Sequence, residues 1–250
     1  MKQRSKPRRR GPQLGLGLLK GRGGPGRGQG RKKREHGYVP HRPRPLLTGR
    51  QPLHVSLAVD PGLPSLRGRR LWAAVRRGFV RGHKTALGFG IVHYSVQGKH
   101  VHLICEARTR LAMSRGMQGF KSCVGQAINK ALGRRGAVFT DRYHERVIAN
   151  PTQCRHTIAY VLLNQRHHAY AEGASYPPDR IDPYSSAGCF DGWTRRVRPW
   201  GQCPPSAVAA PPVAPAATWL LRGGWRRGGG RISPSRIPGL PPGAPALPVW

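Results

Sequence analysis

Acidic residues are scarce in this chain. Nine Asp and Glu stand against 44 Lys and Arg over 250 residues, a formal net charge of +35. So small a pool works against chemistry built on clustered carboxylates. Close cysteine pairs are lacking too: Cys105, Cys123, Cys154, Cys189 and Cys203 are scattered with no Cys-x-x-Cys, which speaks against a zinc knuckle and for reduced thiols in a cytoplasmic setting. No apolar run approaches the roughly 20 residues of a membrane-spanning helix, and Leu14–Leu19 is broken by glycines and too short for a signal-peptide core. No internal repeat is visible. What remains is a strongly basic chain suited to a polyanion. Nucleic acid comes first, since each neutralised phosphate releases counterions; an anionic membrane surface comes second.

Basic charge and low complexity concentrate at the N-terminus. Residues 1–50 hold 16 Lys or Arg and one acid, Glu35, among many Gly and Pro, and read as a disordered tail suited to phosphate contact. Residues 196–250 read as a second disordered tail. Its last fifty positions carry 11 prolines and no acid, and Trp219, Leu220, Leu221 and Trp225 are its one small apolar cluster.

The folded part is expected over 51–195. His54–Val59 alternates and is β-rich, a first strand ended by the turn Asp60-Pro61-Gly62. Ser65–His83 carries Leu66, Leu71, Trp72, Val75, Phe79 and Val80 at helical spacing, with a basic outer face of Arg67, Arg69, Arg70, Arg76, Arg77 and Arg81. Phe89–Val96 and Val101–Ala107 flank the turn Gln97-Gly98-Lys99 as a hairpin. Leu111–Leu132 is a second helix, Ala137–Ile148 a fourth strand region, and Pro151–Tyr170 a last helix with proline in its first turn. An order β-α-β-β-α-β-α predicts an α+β domain: an antiparallel sheet with helices packed on one face.

Within this frame His100-Val101-His102 places two imidazoles two residues apart on a strand, so both project from the same face while Val101 points into the core. Two neutral imidazoles side by side are a ready metal pair that needs further ligands. Tyr160 lies in the last helix with Asn164 one turn on, on the same face. Tyrosine suits phosphodiester transfer because its phosphate ester conserves the bond energy for rejoining, and a metal would polarise the phosphate. Arg142-Tyr143-His144 offers a rival nucleophile and base. It reads as a strand end, with Arg142, like Arg76 and Arg77, a candidate for DNA phosphate contact. His93 and Tyr94 read as packing, and His167-His168 as a cationic helix end.

Together His54–Val59, Phe89–Ala107 with Gly98–Ile104 in it, Val138–Val147, Tyr160–Asn164 and Asp182–Trp193 resemble the IS200/IS605-like single-tyrosine transposases, and among them the REP-associated tyrosine transposases. The resemblance covers about residues 50–195. It implies a His-hydrophobic-His nuclease domain with a ferredoxin-like sheet, in which His100, His102 and Asn164 bind Mg²⁺ or Mn²⁺. Tyr160 would attack single-stranded or hairpin DNA to form a 5′-phosphotyrosyl link, so that the enzyme cuts and rejoins strands in the cytoplasm, on the nucleoid. Two positions depart from the family: Lys99 stands where Asn is common before the first histidine, and Gln165 where Pro often follows the helix Asn. The family includes monomers and homodimers, and both stay open. So do three other readings: an inactive DNA-binding relative; a basic RNA-binding protein, for which no Gly-Phe-x-Phe-like stacking pair is present; and another metal hydrolase, which would have only Asp60, Glu106 and Asp141 to draw on.

Overall fold

Alternation in the first strand sets the architecture. In β1 (Leu53–Ala58) Leu53, Val55 and Leu57 are buried on one side, while His54 and Ser56 project from the other. In β2 (Phe89–Val96) and β3 (His100–Ala107) both sides are covered, with Leu103 in one core and Ile104 in the other, while the edge strand β4 (His144–Val147) is exposed at His144 and Arg146. The four strands form one antiparallel sheet in the order β2-β3-β1-β4. This is a computed structural model that describes residues 44, 47–82, 88–199 and 213–239. All of them fall in one compact unit, Val39–Trp250.

One face of the sheet is covered by α1 (Arg69–Gly82) and α2 (Arg110–Leu132), which pack on each other and on Val55, Leu57, Val101 and Leu103. They approach closely enough to demand glycine: a Cβ at Gly78 would lie 2.6 Å from the Val124 Cα. Thr109 caps the start of α2 through the Ala112 amide, and Gly133, with φ 66°, closes its end. Val101 is buried in this core, as the alternation predicts.

The opposite face is covered by α3 (Pro151–Leu162), capped by Asn150 with Pro151 in the first turn. The antiparallel sheet with packed helices is thus as expected for an α+β fold, with the last helix on the face away from the other two. That helix is not continuous to Tyr170. It breaks at Leu163, and α4 (Asn164–Ala171) begins at the candidate metal ligand. The fourth strand region is also shorter, four residues joined to β1 by an added bridge between Phe139 and Val59.

The largest correction concerns the expected Pro/Gly-rich tail at 196–250. Residues 213–239 pack against α3 and the sheet. Trp225, Ile232, Leu220 and Leu221 are buried in the same cluster as Ile158, Leu162 and Ile104. The short helix α5 (Trp219–Arg222) is held at its start by Glu106, whose carboxylate accepts from the Ala217 amide (2.7 Å), the Thr218 amide (2.8 Å) and the Thr218 hydroxyl (2.6 Å). A Cβ at Gly228 would lie 2.5 Å from the Pro151 carbonyl oxygen, so only glycine lets this segment approach α3. Enough apolar surface sits in this stretch to offset its ordering entropy, which the proline-rich composition concealed. The first expected tail, 1–50, lies outside the described residues as far as 43. Of the rest, the Arg44 side chain reaches Glu145 (2.9 Å) and Leu47 packs on the core. Among the described residues no helix is long and apolar enough to cross a membrane.

Candidate active site

Strand register brings the chemistry together. Ser56 pairs with His102 and Ala58 with His100 across β1 and β3, so both histidines project from the face that α3 covers. Their rings lie 4.8 Å apart at 79°. Tyr160, on α3, turns its ring edge to His102 with 5.2 Å between centroids. Tyr160 is half-buried, and its hydroxyl makes no hydrogen bond among the described residues.

His54 belongs to the same cluster, although its sequence position marks it only as a strand residue. It stacks on His102 at 5.4 Å and meets Tyr160 at 5.7 Å. His102 Nδ1 lies 3.3 Å from His54 Nε2 and 3.0 Å from Ser56 Oγ. Two partners on Nδ1 fix the ring and leave Nε2 as the nitrogen open to a ligand, the arrangement by which neighbouring groups orient a metal-binding imidazole. The pairing that does this is long-range, and local sequence carries no sign of it.

Burial keeps these rings neutral. It lowers the pKa of His54 to about 4, with Arg146 adding to the effect. It lowers that of His102 to about 2, helped by His100, His54 and His168. The His100 pKa is lowered by burial and then by His168, with the Asn164 amide opposing. Neutral imidazole is the form that binds metal.

Asn164 is fully buried, and neither its Oδ1 nor its Nδ2 makes a well-formed hydrogen bond. An unpartnered buried amide costs about 1–3 kcal/mol, and such a group calls for an explanation. Two neutral imidazoles and a buried amide that bonds at most weakly to His100 are together a donor set that a hard divalent cation accepts. Among the described residues no three His, Cys, Asp or Glu side chains converge to hold a metal by themselves. The candidate set is therefore two imidazoles and one amide. His168 adds a third ring 5.5 Å from His100, and its Nε2 is buried without a partner. His167, expected only as a helix-end cation, lies 6.3 Å from the Tyr160 ring, and its Nδ1 is 3.0 Å from the Pro238 carbonyl oxygen. A carbonyl only accepts, so Nδ1 carries the proton.

Other candidates fall elsewhere. Arg76 and Arg77 lie on α1, across the sheet from Tyr160. Arg67 precedes α1 and is spent inside the fold, donating to both Asp182 oxygens at 2.8 Å and to the Val96 carbonyl. Arg142 lies just before β4, half-buried, its amide donating to the Asp141 carboxylate. Tyr143, the rival nucleophile, is buried on the helix face under Arg44. Lys99, at the position where the family often has Asn, binds the carbonyls of Pro61 and Leu63 and ties two loops together. His93 and Tyr94 pack as expected, against Phe190 and Phe79.

No family model and no curated protein matches the chain. Among solved structures it is similar to a REP-associated tyrosine transposase bound to a REP hairpin. The identity is 18% over 54% of this chain and 77% of the other, with a TM-score of 0.43. That likeness is distant, and the functional reading rests on the site's own residues.

Proposed function

We propose that the chain is a metal-dependent DNA endonuclease and strand transferase of the transposase type, with Tyr160 as nucleophile. His100, His102 and Asn164 would hold Mg²⁺ or Mn²⁺, and the substrate would be single-stranded or hairpin DNA. One observation carries the reading: a half-buried tyrosine stands over two neutral imidazoles, one of them held at Nδ1, next to a buried amide that reaches His100 but makes no well-formed hydrogen bond.

The bound cation would supply Lewis-acid polarisation of the scissile phosphate. The protein's own part follows from the geometry. Tyr160 Oη attacks the phosphorus, an Oη–P bond forms, and the P–O3′ bond breaks. The phenolic proton ends on the departing oxygen, giving a free 3′-OH and a 5′-phosphotyrosyl end. Attack by another 3′-OH reverses the step and releases Tyr160, so no external energy source is needed. His54 and Ser56 hold the His102 ring in place. Apolar packing of α3 against the C-terminal segment fixes the height of Tyr160 above the sheet. Tyrosine and histidines are brought together within one chain.

The test is a covalent-adduct assay on labelled single-stranded hairpin DNA. With Mn²⁺ or Mg²⁺ the native chain gives a shifted band on a denaturing gel, and Tyr160→Phe and His100→Ala give none. An adduct that persists in Tyr160→Phe overturns the assignment.

A further inference from the structure

Around Tyr160 lie cations that the reaction as written does not use. On β4, Ser56 pairs with His144 and His54 with Arg146. Facing residues of an antiparallel pair project to the same side, so His144 and Arg146 stand on the site face, and both are exposed. The other side of the same strand differs: Glu145 is held there by Arg44 at 2.9 Å and Arg110 at 2.7 Å. Arg146 has no acidic partner and no side-chain hydrogen bond among the described residues, and the ring it acts on is that of His54.

A second arginine lies on the C-terminal segment, which is tied to α3 where Arg155 donates to the Gly230 carbonyl and to α4 where His167 Nδ1 donates to the Pro238 carbonyl; Arg236 stands between those two contacts. His156 stands one helical turn before Tyr160, on the same face. Arg155 is occupied, donating to the carbonyls of Gly230 (2.9 Å) and Arg231 (3.0 Å). Arg236 itself forms no ion pair among the described residues. Among the described residues neither arginine has an ion pair, Arg146 beside His54 on the edge strand and Arg236 on the segment that lies along α3 and α4. Like charges gathered on one face repel one another, an arrangement that a bound polyanion relieves.

We propose that Arg146 and His144 on one side, and Arg236 and His156 on the other, form the rails of a groove that carries the sugar-phosphate backbone of single-stranded DNA across Tyr160. This rests on the proposed function for the identity of the strand and extends it to the binding path. The strand lies over the edge of the sheet at β4. His144 is two strand spacings, about 10 Å, from His102, so the phosphates gripped are neighbours of the scissile one. The basic outer face of α1, across the sheet, is not the binding path.

The experiment is salt-dependent binding of a fluorescein-labelled single-stranded oligonucleotide to full-length Tyr160→Phe protein, without divalent metal. Arg146→Gln and Arg236→Gln are each expected to weaken binding about threefold to tenfold and to lower the log–log salt slope by about 0.7, the value for one lost contact to a single strand. Arg146→Lys restores the slope, because charge and not a bidentate fit is needed. Arg77→Gln on α1 leaves both affinity and slope unchanged. Arg146 is exposed and Arg236 half-buried, and a native circular-dichroism melt for each variant separates lost contact from lost fold. Unchanged affinity and slope in the Arg146→Gln and Arg236→Gln double variant overturns the proposal, whatever Arg77→Gln does. No adduct is needed for this readout. A failed adduct assay with these binding losses intact removes the tyrosine chemistry and leaves the groove standing.

Discussion

The two faces of the sheet obey different rules. Toward α1 and α2 it is apolar and closely packed, with Leu53, Val55, Leu103, Phe120 and Val124 essentially without exposure. Toward α3 it carries His54, Ser56, His100 and His102, with a buried unpartnered amide at Asn164 and a buried unpartnered imidazole nitrogen at His168. Polar groups in such a place lower stability, since each is desolvated without full compensation. Both faces bury an apolar core, and only the α3 face interrupts its core with polar groups, which is where the chemistry lies.

That division is open to measurement. The largest effect belongs to the apolar face. Phe120→Ala, which empties the contact with Phe79 at 4.8 Å, is expected to cost about 3–5 kcal/mol by denaturant unfolding, while any protein that remains folded binds DNA as before. A loss under about 1 kcal/mol would erase the distinction between the faces.

Acid comes next and strikes the polar face. His93, buried on that side, has its pKa lowered to about 4 from 6.5, chiefly by burial, with Asp191 opposing. Below pH 6.5 the unfolded chain takes up the proton and the folded chain does not. Its contribution is complete above pH 6.5, is lost as the pH falls from 6.5 to about 4, and is flat below that. The loss from this residue alone is about 3 kcal/mol. Denaturant titrations at pH 7 and pH 4.5 check it, and His93→Asn should flatten part of the slope.

The smallest change carries the sharpest sign. Asn164→Leu removes the unpartnered amide at nearly constant volume, so it should raise stability by about 1 kcal/mol while weakening Mn²⁺ binding measured by calorimetry. A stabilised variant that keeps full Mn²⁺ affinity would show Asn164 to be packing only.

The same contrast explains what could be read in advance. Alternation in His54–Val59 reports the two faces directly, because a strand that buries one side must pattern itself every second residue, and neighbours two apart in any strand share a face. His100 and His102 could therefore be placed on a common face from sequence alone. The role of His54 depends on the pairing of β1 with β3, a contact 48 residues apart along the chain, and no local pattern encodes that register. The helix break at Leu163 has no proline or glycine to announce it. Composition misled at 213–239: the prolines and glycines between Ala214 and Gly239 suggest disorder, yet Thr218 caps a helix, Gly228 permits close approach, and Trp225 and Ile232 fill a core. The cluster Trp219, Leu220, Leu221 and Trp225 was the visible signal, and three of those four side chains are buried.

On this reading Tyr160, and no other tyrosine, joins the DNA. Digesting the metal-dependent adduct with trypsin and sequencing the modified peptide by mass spectrometry tests it directly. Cleavage after Arg155 and Arg166 isolates Tyr160 as the only tyrosine of its peptide, and cleavage after Arg142 and Arg146 does the same for Tyr143. A nucleotide 5′-phosphate on Tyr160 is the predicted result; the same mass on Tyr143, or an adduct on no tyrosine at all, would contradict the account.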